Sequence, residues 1–240
     1  MRIQLQTRCR RSLICRFHLT EMLAVVLFHA PLAVAATTHY VAPDGRDTNP
    51  GTEEAPFRTV QQGTKHAGPG DTDYIRAGTY DLSGFSTTID RPLSLIGEDK
   101  KSTVLANGGT LTFSRSLAVR NITFRNFSRT VLKPLAREGE TLDGIFVEHC
   151  VFENLSSGIN TGKDPRGVIT NVRISNCEFR DMEGTGVAAI AFVYGLISDV
   201  RITNNSTMWR YATTAQRSRC GTRRERKATR TLSGRGMNSL

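Results

Sequence analysis

The sequence predicts an all-β fold, a right-handed parallel β-helix: a single-stranded solenoid with an N-terminal capping helix, incomplete at its C-terminal end. Three observations predict it: a short pattern that returns at near-constant spacing, β-branched strands separated by turns, and no amphipathic helix within the repeat. Val119-Arg-Asn-Ile-Thr-Phe124-Arg-Asn126 resembles Val147-Glu-His-Cys-Val-Phe152-Glu-Asn154 and Ile174-Ser-Asn-Cys-Glu-Phe179-Arg-Asp181. The Phe residues lie 28 and then 27 positions apart, and a fourth copy begins at Ile202-Thr-Asn-Asn205. Helical repeats of this period need amphipathic helices of about ten residues, and leucine-rich repeats need their own consensus. Neither is present. Stacked coils of three strands fit, because equivalent side chains then recur about 4.8 Å apart along one axis.

That stacking assigns the repeated residues to columns. Phe124, Phe152 and Phe179 form an interior aromatic stack. Asn121, His149 and Asn176 form a turn ladder bonded through side-chain amides, and Asn126, Asn154 and Asp181 form a second turn column. Cys150 and Cys177 share a column with Ile122 and so face inward. Adjacent rungs allow either two stacked buried thiols or a disulfide.

In chain order, residues 1–36 read as an export signal. Arg2, Arg8, Arg10, Arg11 and Arg16 precede the apolar run 22–28, His29 interrupts it, and Ala33-Val34-Ala35 fits a small-x-small cleavage site. The run falls short of the roughly 20 apolar residues a membrane span needs. No stable membrane insertion is expected once it is cleaved, and the alternative is an uncleaved anchor or a buried helix. The mature chain is placed outside the cell, in the periplasm or on the cell surface, as a monomer. Residues 37–70 read as a cap region: a strand running into a turn at His39–Gly45, a turn cluster at Arg46–Gly51, and a helix opening at Pro56. The apolar side of that helix is Phe57, Val60, Thr64 and Ala67, and Pro69-Gly70 ends it.

Residues 71–206 read as the coils. They open with a strand at Tyr74-Ile75-Arg76 and a turn at Ala77–Thr79, and two long turns interrupt them at Thr130–Asp143 and Asn160–Gly167. Residues 207–240 read as a basic disordered tail. The Phe expected after Asn204 does not arrive, so the tail departs in mid-repeat. A functional basic tail and translation out of frame both explain that.

The charge distribution excludes one function class. The net charge is +10. Residues 1–36 carry +4 and residues 209–240 carry +8, which leaves −2 for the folded part. A nucleic-acid-binding domain needs a basic face on its fold, so no nucleic-acid partner is expected. With only Cys150 and Cys177 in the folded part there is no disulfide framework, and no zinc-type spacing occurs.

Tyr40-Val-Ala-Pro-Asp-Gly-x-Asp-x-Asn-Pro-Gly-Thr52, Ala55-Pro-Phe-Arg-Thr-Val60, Pro69-Gly-Asp-Thr72 and Arg76-Ala-Gly-Thr-Tyr80 resemble the opening of secreted β-helix proteins of the pectate-lyase-like superfamily. Ile89-x-x-Pro92-Leu-Ser-Leu-Ile-Gly97 looks like their first full coil. The resemblance spans residues 38–206. Two departures stand out: Thr64-Lys-His66, and Asp73, where such proteins carry an aliphatic residue. By alternation Asp73 points inward with Ile75.

The resemblance implies an acidic polysaccharide as partner. In such lyases Ca²⁺ or a basic side chain neutralises the uronate carboxylate, and Lys or Arg removes the ring proton beside it. The two long turns supply the candidates, since insertions in solenoids map to loops. Lys163 and Arg166 are the candidate base and carboxylate neutraliser; Lys133 and Arg137 are candidate sugar-acid contacts. Solvated loop charge explains the same residues. Asp44, Asp47 and Asn49 invite a Ca²⁺ loop but lack EF-hand spacing, and a structural Asx turn is the competing reading. The function expected is a polysaccharide-lyase-like protein acting on or binding acidic polysaccharide. The alternatives are a non-catalytic surface or carbohydrate-binding β-helix and an inactive truncated relative.

Overall fold

In the computed structural model, the described residues are 35–161, 166–182, 188–192 and 196–208. Their elements begin with β1 (Thr38–Val41), α1 (Val60–His66), β2 (Thr72–Ile75), β3 (Gly78–Asp81), β4 (Thr87–Ile89), β5 (Leu93–Gly97), β6 (Thr103–Ala106) and β7 (Leu111–Phe113). There follow β8 (Leu117–Arg120), β9 (Thr123–Arg125), β10 (Leu132–Pro134), β11 (Thr141–Glu148), β12 (Val151–Leu155) and β13 (Ser157–Asn160). The last are β14 (Val168–Ser175), β15 (Glu178–Met182), β16 (Ala188–Ala191), β17 (Leu196–Ile197), β18 (Val200–Thr203) and β19 (Ser206–Met208).

From β2 onward, successive strands visit three sheets in rotation. The first sheet runs β1-β2-β5-β8-β11-β14-β17, with β18 also on β14; the second runs β3-β6-β9-β12-β15-β19; the third runs β4-β7-β10-β13-β16. The pairings are parallel throughout. This is a parallel β-solenoid, as the repeat predicts.

The register stacks like on like. Phe152 pairs with Phe124 on one side and Phe179 on the other. Their rings stack at 5.2 Å and 4.8 Å between centroids, all of them buried. Each stacked pair adds about 0.5–1.5 kcal/mol beyond its buried area. At the next rung Phe179 pairs with Thr207, so the aromatic column ends where the sequence repeat ends.

The second turn column is a side-chain ladder. The Asn154 amide donates to Asn126 Oδ1 at 2.7 Å, Asn126 to Asn107 Oδ1 at 3.4 Å, and Asn107 to the Asp81 carboxylate at 3.1 Å. Asn107, Asn126, Asn154 and Asp181 all have positive φ, a conformation that Asn and Asp tolerate best among non-glycine residues. The first column differs from its expectation. Asn121, His149 and Asn176 also turn through positive φ, but their rung-to-rung bonds come from backbone N–H groups, to Glu148 O, Ser175 O and Thr203 O. The second column makes the same kind of backbone bond, Asn126 N–H to Glu153 O at 3.1 Å, and adds its side-chain amides to it.

Cys150 and Cys177 are buried free thiols in one column with Ile122. Stacked thiols, not a disulfide, occupy the site. Burial pushes the Cys150 thiol well above its ordinary pKa, which keeps it protonated and unreactive.

Three local expectations change. The turn read at Ala77–Thr79 gives way at Gly78 to β3, because Gly78 starts a register with Thr103 that runs through Asp81↔Ala106. The long turn read at Thr130–Asp143 contains β10 and the first residues of β11. Leu132 and Pro134 are buried there and pair with Leu111 and Phe113. The short helix begins at Val60, capped by the Thr59 hydroxyl, and Phe57 precedes it as a buried bridge to Val41.

Candidate functional site

The two long turns meet. Gly167 N–H donates to Ala136 O at 3.0 Å and Val168 N–H to Glu140 O at 2.9 Å. A Cβ on Gly167 would lie 2.2 Å from Arg137 O, so the close approach requires glycine. Arg137 and Arg166 are thereby brought into one loop cluster with Glu138 and Glu140.

Each Arg faces a carboxylate. Arg137 Nη1 lies 3.9 Å from Glu140 Oε1, and Arg166 Nη1 lies 3.9 Å from Glu138 Oε2. The second pair is exposed, at 78% and 81% for its two side chains, so it contributes under about 1 kcal/mol and opens easily. An incoming carboxylate competes for the same guanidinium forks. Lys133 stands apart on β10, half-buried, in register with Thr112 and, one rung on, Thr88. It makes no ion pair with a described residue. Lys163 lies outside the described residues.

The Asp47 carboxylate of the opening loop and the Glu138 and Glu140 carboxylates of the long turn are engaged by other protein groups. Asp47 Oδ1 accepts the N–H groups of Arg58 and Thr59 at 3.0 and 2.9 Å, and Oδ2 accepts the Thr59 hydroxyl at 2.9 Å. The Asn49 amide donates to Pro56 O at 2.9 Å. These residues tie the opening loop to the start of α1, a structural role, but through bonds to residues 7 to 12 positions on and not through a local Asx turn. Glu138 and Glu140 are spent on arginines. Among the described residues no group of three or more His, Cys, Asp or Glu is placed to hold a metal ion.

Two further features stand out, the first expected from alternation and the second beyond any sequence motif. Asp73 does point inward, at 0% exposure. Its Oδ2 accepts only the Thr64 hydroxyl, at 3.3 Å, and its Oδ1 has no partner. Burial pushes its carboxyl up to about 7, against the Thr64 bond and nearby Arg91, while Asp71 adds to the rise. Arg91 donates to Thr64 O, but its Nε is buried without a partner. The other feature is a cavity of about 300 Å³ between α1 and β3, with Arg58 and Asp81 in its lining. These two residues are 23 positions apart in the chain, so no spacing rule joins them.

Comparison with known proteins gives short matches. Over 48 residues the chain is 46% identical to pectate lyase PEL9 of Emericella nidulans. It is thus similar to a pectate lyase. Over 70 residues it is 36% identical to YwoF of Bacillus subtilis, an uncharacterised protein. These stretches span 12% and 15% of the two relatives, and 20% and 28% of this chain. No family profile matches the chain. Among solved structures, a rhamnogalacturonan lyase aligns with 72% of this chain and 50% of its own, at 16% identity and a TM-score of 0.34. A GH136 lacto-N-biosidase from Eubacterium ramulus aligns with 76% of this chain and 37% of its own, at 14% identity and a TM-score of 0.35. The parallel solenoid and the pectate-lyase stretch agree with the resemblance read from the opening motifs. Among the described residues no helix is long and apolar enough to cross a membrane.

Proposed function

We propose that this chain is an exported β-helix protein that binds an acidic polysaccharide through the loop cluster of Arg137 and Arg166, with Lys133 on β10 as a separate contact. The observation that carries the reading is the 46% identical stretch shared with a pectate lyase. The loops add the chemistry. Two guanidinium forks sit 3.9 Å from Glu partners, that of Arg166 exposed, and Lys133 has no counter-charge among the described residues. A uronate carboxylate replaces Glu138 at Arg166 at little cost, since an exposed pair of that length contributes little.

Elimination is the second reading. In that reaction a base removes the ring proton beside the carboxylate, its electron pair forms a carbon–carbon double bond, and the glycosidic oxygen departs with a proton. Arg166 is suited to neutralise the carboxylate, and Lys163 is the candidate base.

Affinity electrophoresis of the full chain through gels containing pectate, alginate or chondroitin tests binding. Retardation by at least one acidic polymer, weakening as salt rises, is expected; migration unchanged in all three overturns the proposal. Unsaturated uronates absorb near the ultraviolet edge, so the same polymers with and without Ca²⁺ separate enzyme from binder. An absorbance rise that is lost in Lys163→Ala supports elimination. Retardation without any rise leaves the chain a binder.

A further inference from the structure

The cavity beside α1 takes no part in the loop reading, and its walls are built. Tyr80 is 6% exposed, and its hydroxyl donates to Arg76 O at 2.9 Å, which fixes the ring as an apolar wall. Pro43 forms the other apolar side and sits so close to Gly78 that a Cβ there would lie 2.3 Å from its ring. Thr59 is committed: its hydroxyl donates to Asp47 and accepts from Gln62 N–H. Four polar side chains remain to face a ligand: Arg58, Gln61, Thr79 and Asp81.

Their chemistry is complementary. The Arg58 guanidinium has no acceptor among the described residues. Asp81 Oδ1 receives three donors, Ser83 N–H at 3.1 Å, the Ser83 hydroxyl at 2.6 Å and the Asn107 amide at 3.1 Å. Those bonds hold its carboxyl below the ordinary range and leave Oδ2 open. The cavity therefore offers one cationic fork, one ionised acceptor and two neutral polar groups. A phosphate dianion is poorly served, since a single guanidinium must outweigh a facing carboxylate. A ligand with one carboxylate and several hydroxyl donors is matched on every side. At about 300 Å³ the cavity lies at the small end for ligand sites, the scale of a single sugar ring.

We propose that this cavity is a subsite for one hexuronate unit, with Arg58 holding the sugar carboxylate and Asp81 accepting from ring hydroxyls. The ligand class rests on the acidic-polysaccharide reading; the location does not. Calorimetric titration of the full chain with galacturonate, and with galactose as the neutral probe, tests it. The parent should bind galacturonate about tenfold more tightly than galactose, one charge-assisted bond's worth. Arg58→Ala should erase that preference. Asp81→Asn, which keeps an acceptor for the ladder, should weaken both sugars about tenfold. Arg125→Ala, at an outer-face ion pair with Glu153 away from both sites, should leave monosaccharide binding unchanged. Equal galacturonate affinity in the parent and Arg58→Ala overturns the inference, as does no binding by the parent. Pectate retained by the loops without monosaccharide binding sinks the cavity alone. Monosaccharide binding lost in Arg58→Ala, with no polymer retained, sinks the loop proposal alone.

Discussion

The first rung and the middle rungs fill one column of the core in opposite ways. Along the inner face of the first sheet, Leu95, Val119, Val147 and Ile174 stack in register and are all buried. Asp73 occupies the same column one rung earlier, in register with Leu95. The middle rungs bury apolar surface against copies of themselves. The first rung buries a carboxylate that has one hydroxyl donor and an orphaned oxygen. In a solenoid, equivalent positions face equivalent environments, so a departure from the column is a departure from chemical fit. Helix α1 lies over this spot, with Gly63 and Thr64 against the carboxylate.

Breaking the well-fitted side should show the largest effect. Phe152→Ala removes the central ring of the stack and leaves a cavity between Phe124 and Phe179. A loss of about 3–5 kcal/mol is expected in denaturant unfolding. A loss under about 1 kcal/mol would mean that the stack collapses to fill the space.

Repairing the poorly fitted side comes next, and its sign depends on pH. Burial raises the Asp73 carboxyl from 3.8 to about 7, so the native state keeps a proton that the unfolded chain releases. Stability from this group is fully present below about pH 4, declines as pH rises, and is lost by about pH 7. The decline amounts to at most about 4 kcal/mol. Asp73→Val should therefore stabilise the protein at pH 8 and do much less at pH 4. A parent and variant with parallel stability–pH curves would show that Asp73 stays ionised when buried.

The ladder offers a middle-sized test. Asn126→Ala removes two rung-to-rung bonds and places alanine at φ 57; about 1–3 kcal/mol is expected to be lost. Asn126→Gly relieves the backbone strain without restoring the bonds and should fall between. If the two variants match, the positive φ costs alanine nothing and the whole loss belongs to the side-chain bonds.

The smallest effect belongs to the outer face. Arg125 pairs with Glu153 at 3.2 Å, with the Arg side chain 44% exposed. Arg125→Ala should change the melting midpoint by no more than its surface pair is worth, under about 1 kcal/mol.

Repetition made the coils legible in the sequence. Phe124, Phe152 and Phe179 announced a column because they recur, and Asp73 was visible as an intruder because alternation fixed its direction. Strand β10 was not legible. Lys133-Pro134 sits in a charged stretch that reads as a turn, and proline supplies no strand donor. The ladder between β10 and β13 accordingly has one registered pair, Leu132↔Ile159. The candidate arginines were legible as loop charges, but the glutamates opposite them were not, since their pairing depends on how two turns from successive coils pack. Arg58 and Asp81 were beyond reach for a similar reason: only the closure of the first coil on the opening loop puts them in one cavity.

The corner behind each first-sheet strand carries one more lesson. The carbonyls of Val119, Val147 and Ile174 are faced, in turn, by the Cys150 sulfur at 3.6 Å, the Cys177 sulfur at 3.6 Å and the Asn205 amide at 2.9 Å, and the two sulfurs also lie 3.3 Å from Glu148 O and Ser175 O. Asn205 also accepts the Cys177 N–H at 2.8 Å. Three rungs thus present one socket, and two unlike side chains plug into it. What the position specifies is an inward-reaching donor of the right length, and the sulfur atoms are incidental occupants. A builder lengthening this protein by a coil would copy the socket, not the residue, and would be free to leave cysteine out of the new rung.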